Sequence, residues 1–418
     1  MPADLKDIQT GRLPPPSPKA DKETFSDEAL ILTDAPVPGI DRSGQARSPH
    51  QGNELWIETA RDEAALIAIE PEWEELARNA VEPNAFYEPW MLRPALRAFG
   101  GGKVEVVLVF APHPSRAKGK RLLCGLFPVV FGKTRAELWR YPYCYLTAPL
   151  LRRGVGRSAV ARFFDYLRGR APFLRMQDVP GDGEFRLLLV DEIVRRRWPA
   201  LVSETYTRAV LRRAGSAEEF LDRALAGKRR KELRRQRARL AEQGVLETLQ
   251  LGEGEDPQPW LSELLTLEAR GWKGKEGVDG GCRPAHRIFL EEMAREASSR
   301  RRLHMMALRL DGKPVAVKLN LVANESAFAF KIAFDEDFAR FSPGVLLELD
   351  NVRAAHEMTG LRVMDSCAAP NRFMINHLWP DRREMQTVFI STGGAIGDLV
   401  VSLLPLLHFI RARIRRRS

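Results

Sequence analysis

Cysteine is scarce in this 418-residue chain: four residues, Cys124, Cys144, Cys282 and Cys367, lie far apart with no CxxC pair and no histidine at ligand spacing. Neither a disulfide framework nor a structural zinc site is expected, and no metal is assigned to any residue. The scarcity fits a reducing, cytoplasmic compartment. Residues 1–20, MPADLKDIQTGRLPPPSPKA, lack an apolar h-region, so no secretory signal is expected. The strongest C-terminal apolar run, 395–410, is broken by Asp398, Pro405 and His408 and falls short of the ~20 residues of a spanning helix. The sequence therefore predicts a soluble chain. A GxGxxG fingerprint is missing too, because TGGAIG at 392–397 has neither its spacing nor a following acidic residue.

The chain does have enough apolar content, 44%, and enough length for two folded domains. Its net charge is +10, which by itself points to an anionic partner. The excess is local, however. Residues 228–239 (KRRKELRRQRAR) carry +7 and residues 411–418 (RARIRRRS) carry +5, which leaves the remainder at −2. A near-neutral body argues against a broad nucleic-acid face. The basic helix admits two readings, an RNA or polyanion site or a solvated helix packed through Leu225, Leu233 and Leu240. The basic end also has two, since Leu403, Leu406, Leu407 and Ile410 share a face suited either to anionic lipid at the membrane or to packing on a domain.

Residues 1–53 carry PPPSP, PVPG and GQARSPHQG and are expected to form a disordered leader. From residue 54 the pattern becomes regular. LWIETA reads as a strand and 62–79 as a helix, VEVVLVFA and LLCGLFPVVF as a buried hairpin, and 159–169 and 184–198 as helices alternating with strands. The second half repeats this order. Ser216 with Glu219 forms a capping-box signature, and three strands, LHMMALRL, VAVKLNLVA and SAFAFKIAF, follow one another closely. A helix at 342–357, a strand LRVMDS, a helix at 371–379 and a strand MQTVFI complete it. The expected fold class is α/β with mixed sheets, as two copies of one unit at 54–205 and 206–391, followed by an amphipathic basic helix at 392–418.

The richest stretch is FAFKIAFDEDFARFSPGVLLEL at 328–349. An apolar strand ends in a charged loop that enters a helix through Pro343 and Gly344, and amide N–H groups at such a start suit phosphate or pyrophosphate. Arg340 lies just upstream. The plain alternative is an ordinary helix start.

FKIAFDEDFARFSPGVLLE, the later DSCAAPNRFMINHLWPDRR, the earlier LEARGWKGKEG and PNAFYEPWML in the first half together resemble the CelD/BcsL type of acetyltransferase-like protein. That family is linked to bacterial cellulose and exopolysaccharide biosynthesis and belongs to the GNAT superfamily. The resemblance covers residues 54–390 and implies tandem GNAT-like domains, akin to the Fem-type aminoacyltransferases. It also implies acyl-CoA, acetyl-CoA first, as cosubstrate of the C-terminal copy, with a small-molecule or saccharide acceptor. The strand 327–334 would splay from 361–366 to receive the pantetheine arm. Lys331, Phe334, Arg340, Ser342, Gly344, Val345 and Leu346 would line the cofactor, with the pyrophosphate on the N–H groups of Ser342 to Leu346. One departure stands out: of the usual loop Q/R-x-x-G-x-G/A only Arg340 and Gly344 remain, at a different spacing.

Acyl transfer also needs a base and donors facing the oxyanion. Asp365 is the first candidate base, with Glu336 and Asp335 second. A capping role for Asp365 and a solvated charge run at 335–337 are the competing readings. Lys318 and Lys331 interrupt apolar strand patterns, and an edge position facing solvent is the simplest account, with a carboxylate partner or the cofactor phosphates as alternatives. Cys367 reads as a small buried thiol. Trp272 and Lys273, in a glycine-rich loop, His377, Trp379 and Arg382 are candidate acceptor-binding residues, with packing and structural ion pairs as the alternatives. Two other functions fit the pattern: a Fem-like aminoacyl-tRNA-dependent transferase, motivated by the basic helix, and a non-catalytic scaffold of a polysaccharide-synthesis complex, motivated by the degenerate loop.

Overall fold

A computed structural model describes residues 55–115, 120–271, 283–370 and 372–415. The expected leader and the loop residues Trp272 and Lys273 lie outside the described residues. The chain opens with β1 (Trp56–Ala60), the helices α1 (Glu63–Ala68), α2 (Glu70–Arg78) and α3 (Pro89–Ala95), and the strands β2 (Val104–Pro112), β3 (Arg121–Phe131), β4 (Ala136–Leu138) and β5 (Leu150–Leu151). Next come α4 (Gly156–Leu167), β6 (Phe173–Pro180), α5 (Gly183–Arg196), β7 (Ala200–Arg212), α6 (Ala217–Ala224), α7 (Gly227–Ala241), β8 (Leu246–Gln250), α8 (Gln258–Arg270) and α9 (Pro284–Ser299). The meander β9 (Leu303–Leu310), β10 (Lys313–Ala323) and β11 (Ser326–Phe334) precedes α10 (Pro343–Glu357), β12 (Val363–Asp365), α11 (Phe373–Leu378), β13 (Asp381–Ser391) and α12 (Ala395–Arg415).

Local chemistry sets several of these boundaries. Asp62 caps α1 by accepting from Ala65 N at 2.8 Å. The capping box at α6 is complete, with Ser216 N donating to Glu219 at 2.9 Å and Glu219 N donating to Ser216 Oγ at 3.2 Å. The two-residue turn between β9 and β10 has Asp311 and Gly312 at φ 48° and 75°, the left-handed pair that matches the twist of a tight hairpin.

Two compact units result, one of residues 208–382 and one that joins the described residues up to 207 to those from 383 onward. The sequence expectation ended the second domain at 391 and set 392–418 apart. Instead β13 pairs antiparallel with β6, from Ser391↔Phe173 to Met385↔Pro180, within the N-terminal unit. That unit's sheet runs β1-β2-β3-β4-β6-β13-β7, with β5 beside β3. α12 packs in the same unit through Val400, Val401 and Leu404 against Phe173, Leu201 and Phe389. TGGAIG is the approach to this helix, since a Cβ on Gly397 would lie 2.0 Å from the Pro172 carbonyl oxygen.

In the C-terminal unit the end of β7 pairs antiparallel with β12, β12 pairs parallel with β11, and β11, β10, β9 and β8 continue antiparallel. One face is covered by α6, α7 and α10, which bury Phe220, Leu233, Leu240, Leu346 and Val352 with Met306, Leu308 and Ala316. Leu225, Leu233 and Leu240 are all buried, so the basic helix is packed through its leucine seam. Its Arg237 grips Asp350 through two bonds of 2.9 Å.

Beneath α10 lies a polar chain that the apolar strand pattern concealed. Lys318 Nζ donates to Glu348 Oε2 at 2.7 Å and Glu348 Oε1 accepts from Asn351 at 2.8 Å. Asn320 donates to Asn351 Oδ1 at 2.8 Å and to His304 Nδ1 at 3.1 Å. The other ring nitrogen of His304 therefore carries the hydrogen, directed at Gln250 Oε1, 3.1 Å away. The solvent-facing reading of Lys318 is thus corrected: both it and Glu348 are fully buried.

Burial and, secondarily, the Lys318 ammonium push the His304 imidazole down to about 4. In the unfolded chain the ring takes its proton near about 6.5. Between these values the unfolded state binds more protons, so stability falls as pH drops through that window and is level above it. Because the ring edge is partly open to solvent, the expected loss is roughly 2 kcal/mol rather than the full ~3.4. Urea unfolding across this range should show the slope in the parent chain and its absence in His304→Gln.

Candidate functional site

The site is built on β11. Along β10 the register runs from Ala323↔Ser326 to Asn320↔Ala329 and resumes at Leu319↔Lys331, so Phe330 is an extra, bulged residue. On its other edge β11 pairs with β12 for three residues only, from Ser326↔Val363 to Phe328↔Asp365. Beyond Phe328 no strand pairs with this edge among the described residues, although β11 runs on to Phe334. The other arm turns away, with Ser366 N donating to Ala209 O at 3.1 Å. A bulge bends its strand and sharpens its twist, and here it lies two residues past the last pair. The two strands part as a fork, the geometry that the family resemblance implied.

The bulge also changes which side chains share a face. Ala327, Ala329 and Phe334 all pack into the core beneath α10, which an uninterrupted period of two forbids. Lys331 is thereby turned to the opposite face, where its Nζ bonds both carboxylate oxygens of Glu268 on α8 at 2.7 and 2.8 Å. Its solvent-facing reading is corrected, and its ammonium is engaged by a carboxylate.

Where β11 ends, Asp335 N donates to Val315 O at 2.9 Å. The Asp335 carboxylate accepts from Asp337 N at 3.1 Å and caps the 3-10 turn Glu336–Phe341. Ser342 follows at φ 54° and Pro343 opens α10. The expectation that the amides of Ser342 to Leu346 face an anion is revised. Pro343 has no N–H, Ser342 N donates to Ala339 O, and Val345 N and Leu346 N both donate to Ser342 O. Gly344 N is the donor of this group that has no acceptor among the described residues. A Cβ at Gly344 would lie 3.2 Å from Phe334 Cδ1, so glycine lets the helix start sit on the end of β11. Val345 is half-buried, the Leu346 side chain is in the core, and Arg340 is exposed with its guanidinium 4.7 Å from the Phe341 ring centre.

Asp365 is buried at the crotch of the fork. Its Oδ1 accepts from Cys367 N at 2.8 Å and lies 3.4 Å from Arg208 Nη1, a buried ion pair. Cys367, at φ 54°, is held in the turn and its thiol is buried. The carboxylate thus fixes the departing arm. Glu336 is half-buried, its Oε1 3.4 Å from the place a Cβ on Gly271 would occupy.

Sequence reading missed Glu268 and His286. Glu268 continues the buried stripe Leu261, Leu264 and Leu265 of α8 at helical spacing, and it is matched by a lysine in an apolar strand. These two misfits were the available signal. His286, near the start of α9, is lowered by partial burial and then by the charges of Arg283 and Lys331. Glu268 and His286 therefore lie around Lys331 at the bulged half of β11, and Glu336 lies beside Gly271, just past Glu268 on α8.

Among the described acceptor-binding candidates, Trp379, His377 and Arg382 do not form one cleft. Trp379 is fully buried in the core, so it packs and does not line a cleft. His377 is exposed on α11. Arg382 donates to the carbonyls of Trp379 and Asn376 and so closes the C-terminus of α11. Among the described residues no group of three or more His, Cys, Asp or Glu could hold a metal ion.

Residues 227–373, which contain this fork, match the model of the acetyltransferase (GNAT) domain family. No curated protein matches the chain in sequence. Among solved structures, a conserved protein of unknown function from Bacteroides thetaiotaomicron VPI-5482 is similar at a TM-score of 0.53 and 12% identity, covering 80% of this chain and 100% of that one. FemX is similar at a TM-score of 0.52 and 9% identity, covering 80% of this chain and 96% of its own. The chain has a mixed α/β fold shared with these solved structures, and the stretch of its C-terminal unit that resembles the acetyltransferase (GNAT) domain is the one that holds the fork.

The Lys331–Glu268 pair is almost fully buried. Lys331→Met strands a carboxylate there and is expected to cost about 3–5 kcal/mol in urea unfolding, whereas Lys331→Met combined with Glu268→Leu should recover most of that loss.

Proposed function

We propose that the chain is an acyltransferase that moves an acyl group, acetyl first, from acyl-CoA to an amine or hydroxyl on a small-molecule or saccharide acceptor. Exopolysaccharide or cellulose biosynthesis is the setting that the motif resemblance favours. The observation that carries the reading is the fork: among the described residues a strand edge is left without a strand partner from Ala329 to Phe334, and the helix start seated on the end of that strand carries the bare Gly344 N–H. An amide-bearing arm can hydrogen-bond along such an edge, and one bare amide beside Ser342 offers an anion a single donor. That is fewer than the row of amides expected from Ser342 to Leu346, so binding leans on the strand edge.

Acyl-CoA supplies a thioester carbonyl. The protein has to orient it, accept a proton from the attacking amine or hydroxyl and let the thiol leave. Among the three candidate carboxylates, Asp365 and Asp335 already accept backbone N–H groups and hold turns. Glu336, half-buried beside Gly271 at the end of α8, is the one we assign to the proton, with Asp365 positioning the arm.

Calorimetry with acetyl-CoA and other acyl-CoAs tests the binding half. Wild type and Gly344→Ala should bind and Gly344→Asp should not; failure of the wild type with every acyl-CoA removes the reading. Turnover tests the rest. Glu336→Gln should lower kcat by about 10²–10⁴-fold with binding unchanged, and Asp365→Asn should lower thermal stability as well as turnover. Product formed at all excludes a non-catalytic scaffold.

A second reading, an aminoacyl-tRNA-dependent transferase, is favoured by the exposed Lys228, Lys231, Arg234, Arg235 and Arg239 on α7. It requires tRNA binding that weakens steeply with salt and is lost when these residues are replaced by Gln.

A further inference from the structure

α12 buries one side and exposes another. Val401 is buried, and Val400 and Leu404 pack beside it. On the opposite side Ile396, Leu399, Leu403 and Leu406 are 71%, 61%, 43% and 54% exposed. Their spacing of three, four and three residues sets them in one row along the helix. Four large apolar side chains in a row on a helix that is already docked are not explained by the fold, because the packing that holds α12 uses other residues. Of the face expected from the sequence, Leu403 and Leu406 are exposed, while the side chains of Leu407 and Ile410 lie outside those described.

We propose that this face rests on an anionic lipid bilayer. Charge selects the occupant. After Asp398 the sequence has no acidic residue through 418, and residues 411–418 contain five arginines. An apolar row followed in the sequence by a cluster of basic residues matches the two layers of a membrane surface. The apolar side chains meet the acyl boundary and the guanidiniums meet lipid phosphates. Neither signal holds a protein on a membrane alone, and the two together do. No helix of the described residues is long and apolar enough to cross a membrane, so the contact lies in the plane of the interface. A second copy of the chain fits less well. The row spans about three turns, short of the three to four heptads of a coiled coil. Pro405 also lies within the helix and removes a backbone donor.

The inference is independent of the acyltransferase reading. Full-length protein is sedimented with vesicles of phosphatidylcholine alone or mixed with phosphatidylserine, at low and high salt. Expected is partition onto the anionic vesicles roughly tenfold or more above neutral ones, reduced by salt. Leu399→Ser/Leu403→Ser/Leu406→Ser and, separately, Arg411→Gln/Arg413→Gln/Arg416→Gln/Arg417→Gln should each lower it by about tenfold or more. Both should leave thermal unfolding unchanged, because Val400, Val401 and Leu404 are intact. Equal partition onto both vesicle types, or none, overturns the proposal without reference to any variant. So does a dimer in sedimentation velocity that the serine variant dissociates, with no vesicle binding.

Discussion

Phe330 is one residue more than the β10 ladder can pair, and β11 absorbs it by bending. Much of the C-terminal unit depends on this. The bend comes just where pairing to β12 stops, so a strand edge opens that a regular sheet would have closed. The same extra residue inverts the facing of the strand beyond it and places Phe334 under the start of α10. A helix start brought so close to an aromatic ring leaves room for a Cβ at 344 only if that ring gives by a few tenths of an ångström. Fork, helix junction and charge placement are three results of one insertion.

Three buried or nearly buried ion pairs stand around that fork: Lys318 with Glu348, Lys331 with Glu268 and Arg208 with Asp365. Each joins a strand to a neighbouring helix or to the arm beside the fork. Such pairs add little net stability over well-packed apolar residues, yet each is costly to break. Their effect is therefore one of register. A slip of any strand by one residue would strand a charge in the core, so the irregular strand is held in a single alignment.

Much of the architecture was legible in local chemistry. The capping box at Ser216, the hairpin turn at Asp311 and Gly312 and the three-strand run up to Phe334 follow from short-range patterns. What escaped is non-local. A period of two read through Phe330 assigns Lys331 to the wrong face, because nothing in FAFKIAF marks which residue goes unpaired. Lys318 looked like an edge residue because its partner lies thirty positions away on another helix. Glu268 was a misfit on an apolar stripe and Lys331 a misfit in an apolar strand; read as a pair, they would have located each other. Trp379 and Arg382 looked like site residues by composition, but the indole fills the core and the guanidinium satisfies helix-end carbonyls.

The position of β13 has a further meaning for how the chain acquires its structure. It lies between β6 and β7 in the N-terminal unit, yet it is separated from them in sequence by the whole of the other unit. During synthesis the first unit must wait with a gap one strand in from the β7 end of its sheet, while residues 208–382 can emerge and fold as a continuous stretch. Closing that gap is a long-range event of the slow kind. Until it happens β6 and β7 present two unsatisfied inner edges, the part of the nascent protein most in need of shielding from other chains.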